Sequence, residues 1–321
     1  MVGFDSKAKE QLSHGWIMLS AAVAGALSRF ISQPLDVLKI RFQLQVEPIT
    51  NKSAVSKYKT LRQAFLVVWR EEGLRGLWGG HNPGQLLSII YATTNFTVFE
   101  LLTRFSHEQL GLNRSGAVNF VCGAGSGCAA VFCSYPFDVL RTRFIAQGAA
   151  NVTYRSMING LTSMVRKEGI SAPFKGLSPA LLQGGPLIGV SFATHSFVKT
   201  IFERYETLSK SADRLNLSGN VIAGGVAGFV SKASIYPLDL ARRRLQFQGF
   251  QDSRIGYGQN FTCRNLVHCM QLTVAKEGVK GLFKGFVPSA VKTTLSTSLY
   301  FTIYEELCDF FSYVHTLDKV S

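Results

Sequence analysis

Long apolar stretches alternate along the chain with shorter segments in which apolar and basic positions are interleaved. Six stretches, approximately 14–44, 83–106, 116–146, 179–206, 217–247 and 288–313, are each long enough for a helix. A helix of about 20 residues crosses the roughly 30 Å apolar core of a bilayer, so each is predicted to be a transmembrane helix. Between the members of each pair lies an amphipathic segment, Lys57–Arg70, Tyr154–Lys167 or Thr262–Lys276, rich in Lys and Arg. These basic connectors fall on one side of the membrane and predict short interfacial helices on its negative face.

Self-similarity organises the six stretches. Pro34-Leu-Asp36-Val-Leu-Lys39-Ile-Arg41 recurs as Pro136-Phe-Asp138-Val-Leu-Arg141-Thr-Arg143 and as Pro237-Leu-Asp239-Leu-Ala-Arg242-Arg-Arg244. A second mark follows each, Glu72-Gly73, Glu168-Gly169 and Glu277-Gly278, and then Trp78-Gly-Gly80, Phe174-Lys-Gly176 and Phe283-Lys-Gly285. Two motifs returning three times in one order define a triplicated unit of about a hundred residues. The chain 1–321 therefore reads as a single transmembrane domain of three repeats, 14–108, 115–208 and 216–313. At a fixed offset before each motif proline stand Ala21 and Gly25, Gly123 and Gly127, and Gly224 and Gly228. Small residues four apart let helix backbones approach closely where lipid provides no hydrophobic drive to associate.

Composition agrees with a membrane protein and raises one question. The chain is 46% hydrophobic and only 17% charged, yet its formal charge is +14. With 24 Phe, 10 Tyr and 3 Trp it is too aromatic to be disordered. A basic nucleic-acid-binding repeat protein accounts for the charge but not for six apolar spans. An enzyme is disfavoured too, since there is no Gly-x-x-x-x-Gly-Lys-Ser/Thr loop and no nucleophile–base constellation. Cys122, Cys128, Cys133, Cys263, Cys269 and Cys308 have no metal-ligand spacing and read as buried free thiols, so no metal and no cofactor are expected. Residues 1–15 resemble neither a secretory signal nor an Arg-rich transit peptide, so any organelle address is internal.

The motif charges have a geometric reading. An acid and a base three positions apart share one helix face, so Asp36/Lys39, Asp138/Arg141 and Asp239/Arg242 place one of each on three helices. Charges at membrane depth face a watery cavity or one another. Around a threefold axis each acid pairs with the base of a neighbouring helix and closes a ring, a construction suited to a gate.

With these motifs the sequence resembles the mitochondrial carrier family, whose Pro-x-Asp/Glu-x-x-Lys/Arg signature it carries three times over nearly its whole length. The resemblance implies an all-α membrane protein of the mitochondrial inner membrane. Its six transmembrane helices form a pseudo-threefold barrel, each repeat has a short matrix-side amphipathic helix, and the termini face the intermembrane space. It implies a transporter working by alternating access as a monomer in the lipid bilayer, with cardiolipin at the matrix-side helices. Asp36, Lys39, Asp138, Arg141, Asp239 and Arg242 then resemble the family's matrix gate. Gln43 and Gln246 occupy its glutamine-brace position, where the second repeat has Ile145. The opposite, cytoplasmic gate is eroded: Phe99-Glu100 is followed by Thr103, His195-Ser196 by Lys199 and Tyr304-Glu305 by Cys308. Glu100 with Lys199 is the one ion pair expected there, Glu305 being left alone, and so weak a gate is expected to favour the cytoplasm-open state and to permit uniport beside exchange.

Seven residues, two helical turns, before the gate acids stand Arg29 and Lys232, on the faces of Asp36 and Asp239; the second repeat has Val131. Lys292 matches a family contact point on the last helix, and its counterparts Ser88, Gln183 and Gly184 are uncharged. Three midplane cations without matched anions call for a polyanionic ligand, most simply a di- or triphosphate. Ser88, Tyr91 and Asn95, then Ser191 and His195, then Ser296 and Tyr300 with Thr293 beside them, follow helical spacing and offer hydroxyls and aromatic faces to a ring. Within the family, the stretches MVGFDSK, KIRFQLQ (39–45), DVLRTRF (138–144), SKASIYPLDL (231–240) and GLFKGFVPSAVKTTLST (281–297) resemble members whose cargo is thiamine pyrophosphate. That resemblance implies the same cargo, moved into the matrix in exchange for nucleotides. A carrier of nucleotides, deoxynucleotides or coenzyme A presents the same phosphates, and residue charge does not separate these cargoes.

Overall fold

The structure is a computed structural model describing residues 14–49, 56–108, 116–148, 152–183, 200, 212–250 and 262–320. Its described residues form helices, turns and irregular segments. In chain order they are α1 (His14–Leu44), α2 (Leu61–Leu77), α3 (His81–Glu108), α4 (Gly116–Ala146), α5 (Met157–Glu168), α6 (Ala212–Phe247), α7 (Leu266–Glu277) and α8 (Phe286–Val320). Short 3-10 turns at Ala172–Phe174 and Val279–Phe283 precede the second helical hairpin arm and α8. Residues 177–183 are helical, and the rest of the predicted span 179–206 lies outside the described residues. Among the described residues three helices, Gly15–Leu44, His81–Glu108 and Val118–Ala146, are long and apolar enough to cross a membrane. The 36-residue α6 and 35-residue α8 have the length to do so, since 35 residues at 1.5 Å per residue extend about 50 Å.

The most extensive packing joins α3 to α4 and α8 to α1, so the last helix closes against the first. Each of α1, α4 and α6 also touches the other two. Those three are the helices that carry a proline inside them, Pro34, Pro136 and Pro237. Proline removes a backbone hydrogen bond and bends a helix. In the first repeat the freed Phe30 carbonyl accepts the Trp78 indole N–H at 3.2 Å. Beyond each proline the helices converge: every residue of 32–46, 134–148 and 235–248 is buried or half-buried. The main apolar core lies there, with Val37, Leu38, Val139 and Leu140 against Val68 of α2 and Met164 of α5.

The amphipathic segments fold as α2, α5 and α7. Their starts are capped by side chains that accept from the backbone three residues on: Thr60 from Gln63, Ser156 from Asn159 and Asn265 from His268. The aromatic-Lys-Gly marks make the sharp turn back into the membrane. Gly176 and Gly285 both have φ of 80°, and a Cβ there would lie 3.0 Å from the Arg242 carbonyl and 2.9 Å from the Lys39 carbonyl respectively. Only glycine meets both the left-handed backbone and the close approach of a neighbouring repeat.

One expectation is corrected. Cys122, Cys263, Cys269 and Cys308 are buried, but Cys128 and Cys133 are exposed. A membrane helix presents apolar side chains outward to lipid, so an apolar run does not by itself mark the protein interior.

Candidate functional site

The motif charges meet where α1, α4 and α6 converge. Asp36 pairs with Arg141 at 2.5 Å, Asp138 with Arg242 at 2.7 Å and Asp239 with Lys39 at 2.6 Å, so each link joins two repeats and the three close a ring. Gln43 donates to Asp239 at 3.0 Å and to Tyr236 at 3.1 Å; Gln246 donates to Asp138 at 2.5 Å and to Tyr135 at 3.1 Å. Ile145 offers no polar atom at the matching place. Arg243, an unremarked member of an arginine run, adds a second cation to Asp138 at 3.0 Å and also donates to Thr142 and Gln246.

A second threefold set lies beneath the ring, built from motif residues whose pairing was not anticipated. Arg41 grips Glu72, Arg143 grips Glu168 and Arg244 grips Glu277, each through two guanidinium nitrogens. The same arginines donate Nε–H to the carbonyls of Ile145, Gln246 and Gln43, all at 3.1 Å. Each arginine therefore ties its own interfacial helix to the next repeat. Lys175 and Lys284, from the aromatic-Lys-Gly marks, join Glu168 and Glu277; the first repeat has Gly79 in that place. The signal was present in the sequence, because the second basic residue of the motif and the Glu-Gly mark recur in the same register.

Glu168 gives this layer a pH dependence. Burial opposes its ionisation, but the Arg143 guanidinium and the Lys175 ammonium more than offset that and hold its carboxyl below the usual range. A depressed carboxyl contributes stability that is present above its unfolded pKa and is lost as pH falls through its folded one. In thermal unfolding of the detergent-solubilised protein, Glu168→Gln is expected to melt below wild type at neutral pH. The gap closes as the pH is lowered through the acid range; a gap that persists at the acid end contradicts the pairing.

The cations assigned to cargo sit on the membrane side of the ring. Arg29 Nη1 donates to the Gly84 carbonyl, and Lys232 Nζ donates to the Ser289 carbonyl at 2.5 Å and to Thr293 Oγ1. Neither has a carboxylate partner among the described residues. Lys292 differs from the expectation. It is 2.8 Å from Asp36 Oδ1, so it is not an unmatched cation. Its anion comes from another helix, which a search along one helix at i±3 or i±4 does not find.

The remaining candidates divide. Gln183 Oε1 accepts from Arg242 at 3.2 Å and so belongs with the ring. Asn95 accepts from Ser126 Oγ at 3.0 Å, a contact between α3 and α4, and Ser88 Oγ returns to the Gly84 carbonyl at 3.3 Å. Tyr91 is exposed, and Ser296 Oγ is buried without a hydrogen-bond partner among the described residues. At the opposite end Glu100 pairs with Arg104 on its own helix at 2.5 Å, and Glu305 is exposed. Gly184, Ser191, His195 and Lys199 lie outside the described residues.

Comparison with known proteins gives this geometry its context. The profile described as Mitochondrial carrier protein matches residues 11–110, 113–206 and 213–315. The mitochondrial thiamine pyrophosphate carrier of Bos taurus is 38% identical over 321 residues, covering 99% of this chain and all of its own. The Homo sapiens protein of the same name is 37% identical over 313 residues, 97% of each chain. Mitochondrial thiamine diphosphate carrier 2 of Zea mays is 35% identical over 312 residues, 91% of this chain and 92% of its own. Three profile matches, one per repeat, and full-length similarity over a closed threefold ring of Pro-x-Asp-x-x-Lys/Arg charges together place the chain in the mitochondrial carrier family.

Proposed function

We propose that the chain carries thiamine pyrophosphate across the mitochondrial inner membrane into the matrix by alternating access, in exchange for nucleotides. One observation carries the chemistry: the site has more cations than it can pair. Among the described residues, Arg29, Lys39, Lys232, Lys292, Arg141, Arg242 and Arg243 surround three carboxylates, Asp36, Asp138 and Asp239. Such an excess at membrane depth is costly unless an anion joins it, and a diphosphate supplies the charge in compact form.

On this reading Arg29, Lys232 and Lys292 take the diphosphate, while Tyr91, Thr293 and Ser296 lie along the path of the two rings. The ring of pairs below is the matrix gate, closed in the structure, and Glu100, Lys199 and Glu305 belong to a weak cytoplasmic gate. Glu100's attachment to Arg104 supports that weakness, since a pair within one helix holds no two helices together. The termini face the intermembrane space and the interfacial helices the matrix. Transport is fast only if cargo binds best in the passage between open states, as for any catalyst.

The test is uptake of labelled thiamine pyrophosphate into liposomes containing the purified carrier and internal unlabelled cargo. Excess thiamine pyrophosphate is expected to suppress uptake at lower concentration than nucleotides, deoxynucleotides or coenzyme A. The reverse order replaces the cargo assignment with a nucleotide or coenzyme A.

A further inference from the structure

The three links of the ring are built differently. Asp239 holds Lys39 and the Gln43 amide, and Asp138 holds Arg242, Arg243 and the Gln246 amide. Both glutamines are fully buried, below the ring, and each is fixed to the tyrosine that precedes a motif proline. At the third link the brace position is Ile145, and Gln33 replaces the tyrosine. Gln33 turns elsewhere, donating to the Gly79 carbonyl at 2.8 Å and accepting from Arg141 at 3.4 Å. Asp36 still has two partners, with Arg141 on Oδ2 and Lys292 on Oδ1.

Lys292 thus gives Asp36 a second partner, as the amides do for Asp239 and Asp138, but on the oxygen opposite the base, where each amide shares the oxygen of its base, and it comes from a different place. It comes from α8, on the membrane side of the ring, and its side chain is 30% exposed against zero for the residues Gln43 and Gln246. A cargo phosphate entering from that side reaches Lys292 and cannot reach the glutamines.

We propose that Lys292 is a removable brace, which secures the α1–α4 link while the site is empty and leaves it when a phosphate arrives. The proposal rests on the reading of Lys292 as a phosphate ligand. Once Lys292 turns to the cargo, Asp36 keeps Arg141 alone among the described residues, and Ile145 has no polar group with which to give it a second partner. The α1–α4 link is then the least secured of the three and parts first, so that arrival of cargo is converted into opening of the gate. A brace at this link that cargo cannot reach would uncouple the two events.

The experiment uses Lys292→Gln, Ile145→Gln, the two combined, and Lys292→Arg, each as the purified full chain. Thermal unfolding is measured first without any cargo. Lys292→Gln is expected to lower the midpoint by about 3–6 °C, the range for losing a charge-assisted contact in a protein of this size, and Lys292→Arg to retain it. In the Ile145→Gln background, where an amide faces Asp36, removal of Lys292 should cost less than half as much. In exchange of thiamine pyrophosphate, Ile145→Gln is expected to reduce the maximal rate several-fold with half-saturation changed by less than about twofold, because gate opening and not binding is altered. An unchanged midpoint in Lys292→Gln, or equal losses in the two backgrounds, overturns the proposal. So does an Ile145→Gln carrier that is slowed only through half-saturation. The unfolding measurements need no cargo, so an incorrect cargo assignment fails in the uptake assay and leaves them standing.

Discussion

Asp138→Asn is expected to reduce transport by about two orders of magnitude and to lower the unfolding midpoint by more than about 5 °C, a larger loss than Asp239→Asn. Asp138 is 1% exposed and is held by Arg242, Arg243 and Gln246. Neutralising it leaves two guanidiniums without their shared anion, around a carboxyl position that is itself closed to water. Breaking a buried pair by removing one partner costs roughly 3–5 kcal/mol, chiefly through the charge left behind. Spread over gate closure, about 3 kcal/mol corresponds to two decades in rate. Among the described residues Asp239 has one direct cationic partner, Lys39, and the Asp239 side chain is 18% exposed against 2% for Asp138, so water replaces part of what is lost. Activity and midpoint measured in parallel for both variants check the order. Equal, small losses contradict the ring as the structure holding the matrix side closed.

The opposite signature is expected at the cargo cations. Lys232→Gln and Arg29→Gln should each raise half-saturation for thiamine pyrophosphate about 10- to 100-fold and leave the midpoint of the empty carrier unchanged or raised. A hydrogen bond to a charged group contributes about 1.5–3 kcal/mol, and each 1.4 kcal/mol is tenfold in affinity. Neither side chain has a carboxylate partner among the described residues, their contacts being to Gly84, Ser289 and Thr293. Removing such a charge relieves repulsion and strands no anion. Unchanged half-saturation in both variants removes them from the cargo site. A loss of stability with unchanged half-saturation makes them structural.

What could be read from the sequence was whatever recurs. The motif Pro-x-Asp-x-x-Lys/Arg repeats three times, so its charges were expected to pair between helices, and Asp36–Arg141, Asp138–Arg242 and Asp239–Lys39 do so. Breaks in the pattern such as Ile145 and Val131 were also visible, but partners that do not follow the threefold order were not. Arg242, Arg243 and Arg244 are adjacent, and at about 100° per residue they leave the helix in three directions. Arg242 and Arg243 reach Asp138, whereas Arg244 descends to Glu277. No periodicity distinguishes the second from its neighbours. Lys292 was expected to lack an anion because its own helix supplies none nearby; Asp36 is brought to it only by the closing of α8 on α1. Asn95 follows cavity spacing along α3, yet its side chain is taken by Ser126 because the same face also borders α4.

Two kinds of cation contribute to the charge that composition left open. One set, Arg41, Arg143, Arg244, Lys175 and Lys284, is consumed in tying interfacial helices to neighbouring repeats. The other lies above the ring and outnumbers the carboxylates within reach. On the proposed reading, this second set selects an anionic cargo.

The measurement that addresses this most directly is uptake by the reconstituted wild-type carrier of labelled thiamine pyrophosphate beside labelled thiamine at equal concentration. The two share both rings and differ only in the diphosphate. Capture by an unpaired cation cluster predicts saturable uptake of thiamine pyrophosphate, uptake of thiamine at least about tenfold slower, and no competition by thiamine. Equal uptake of the two, or saturable uptake of neither, contradicts it.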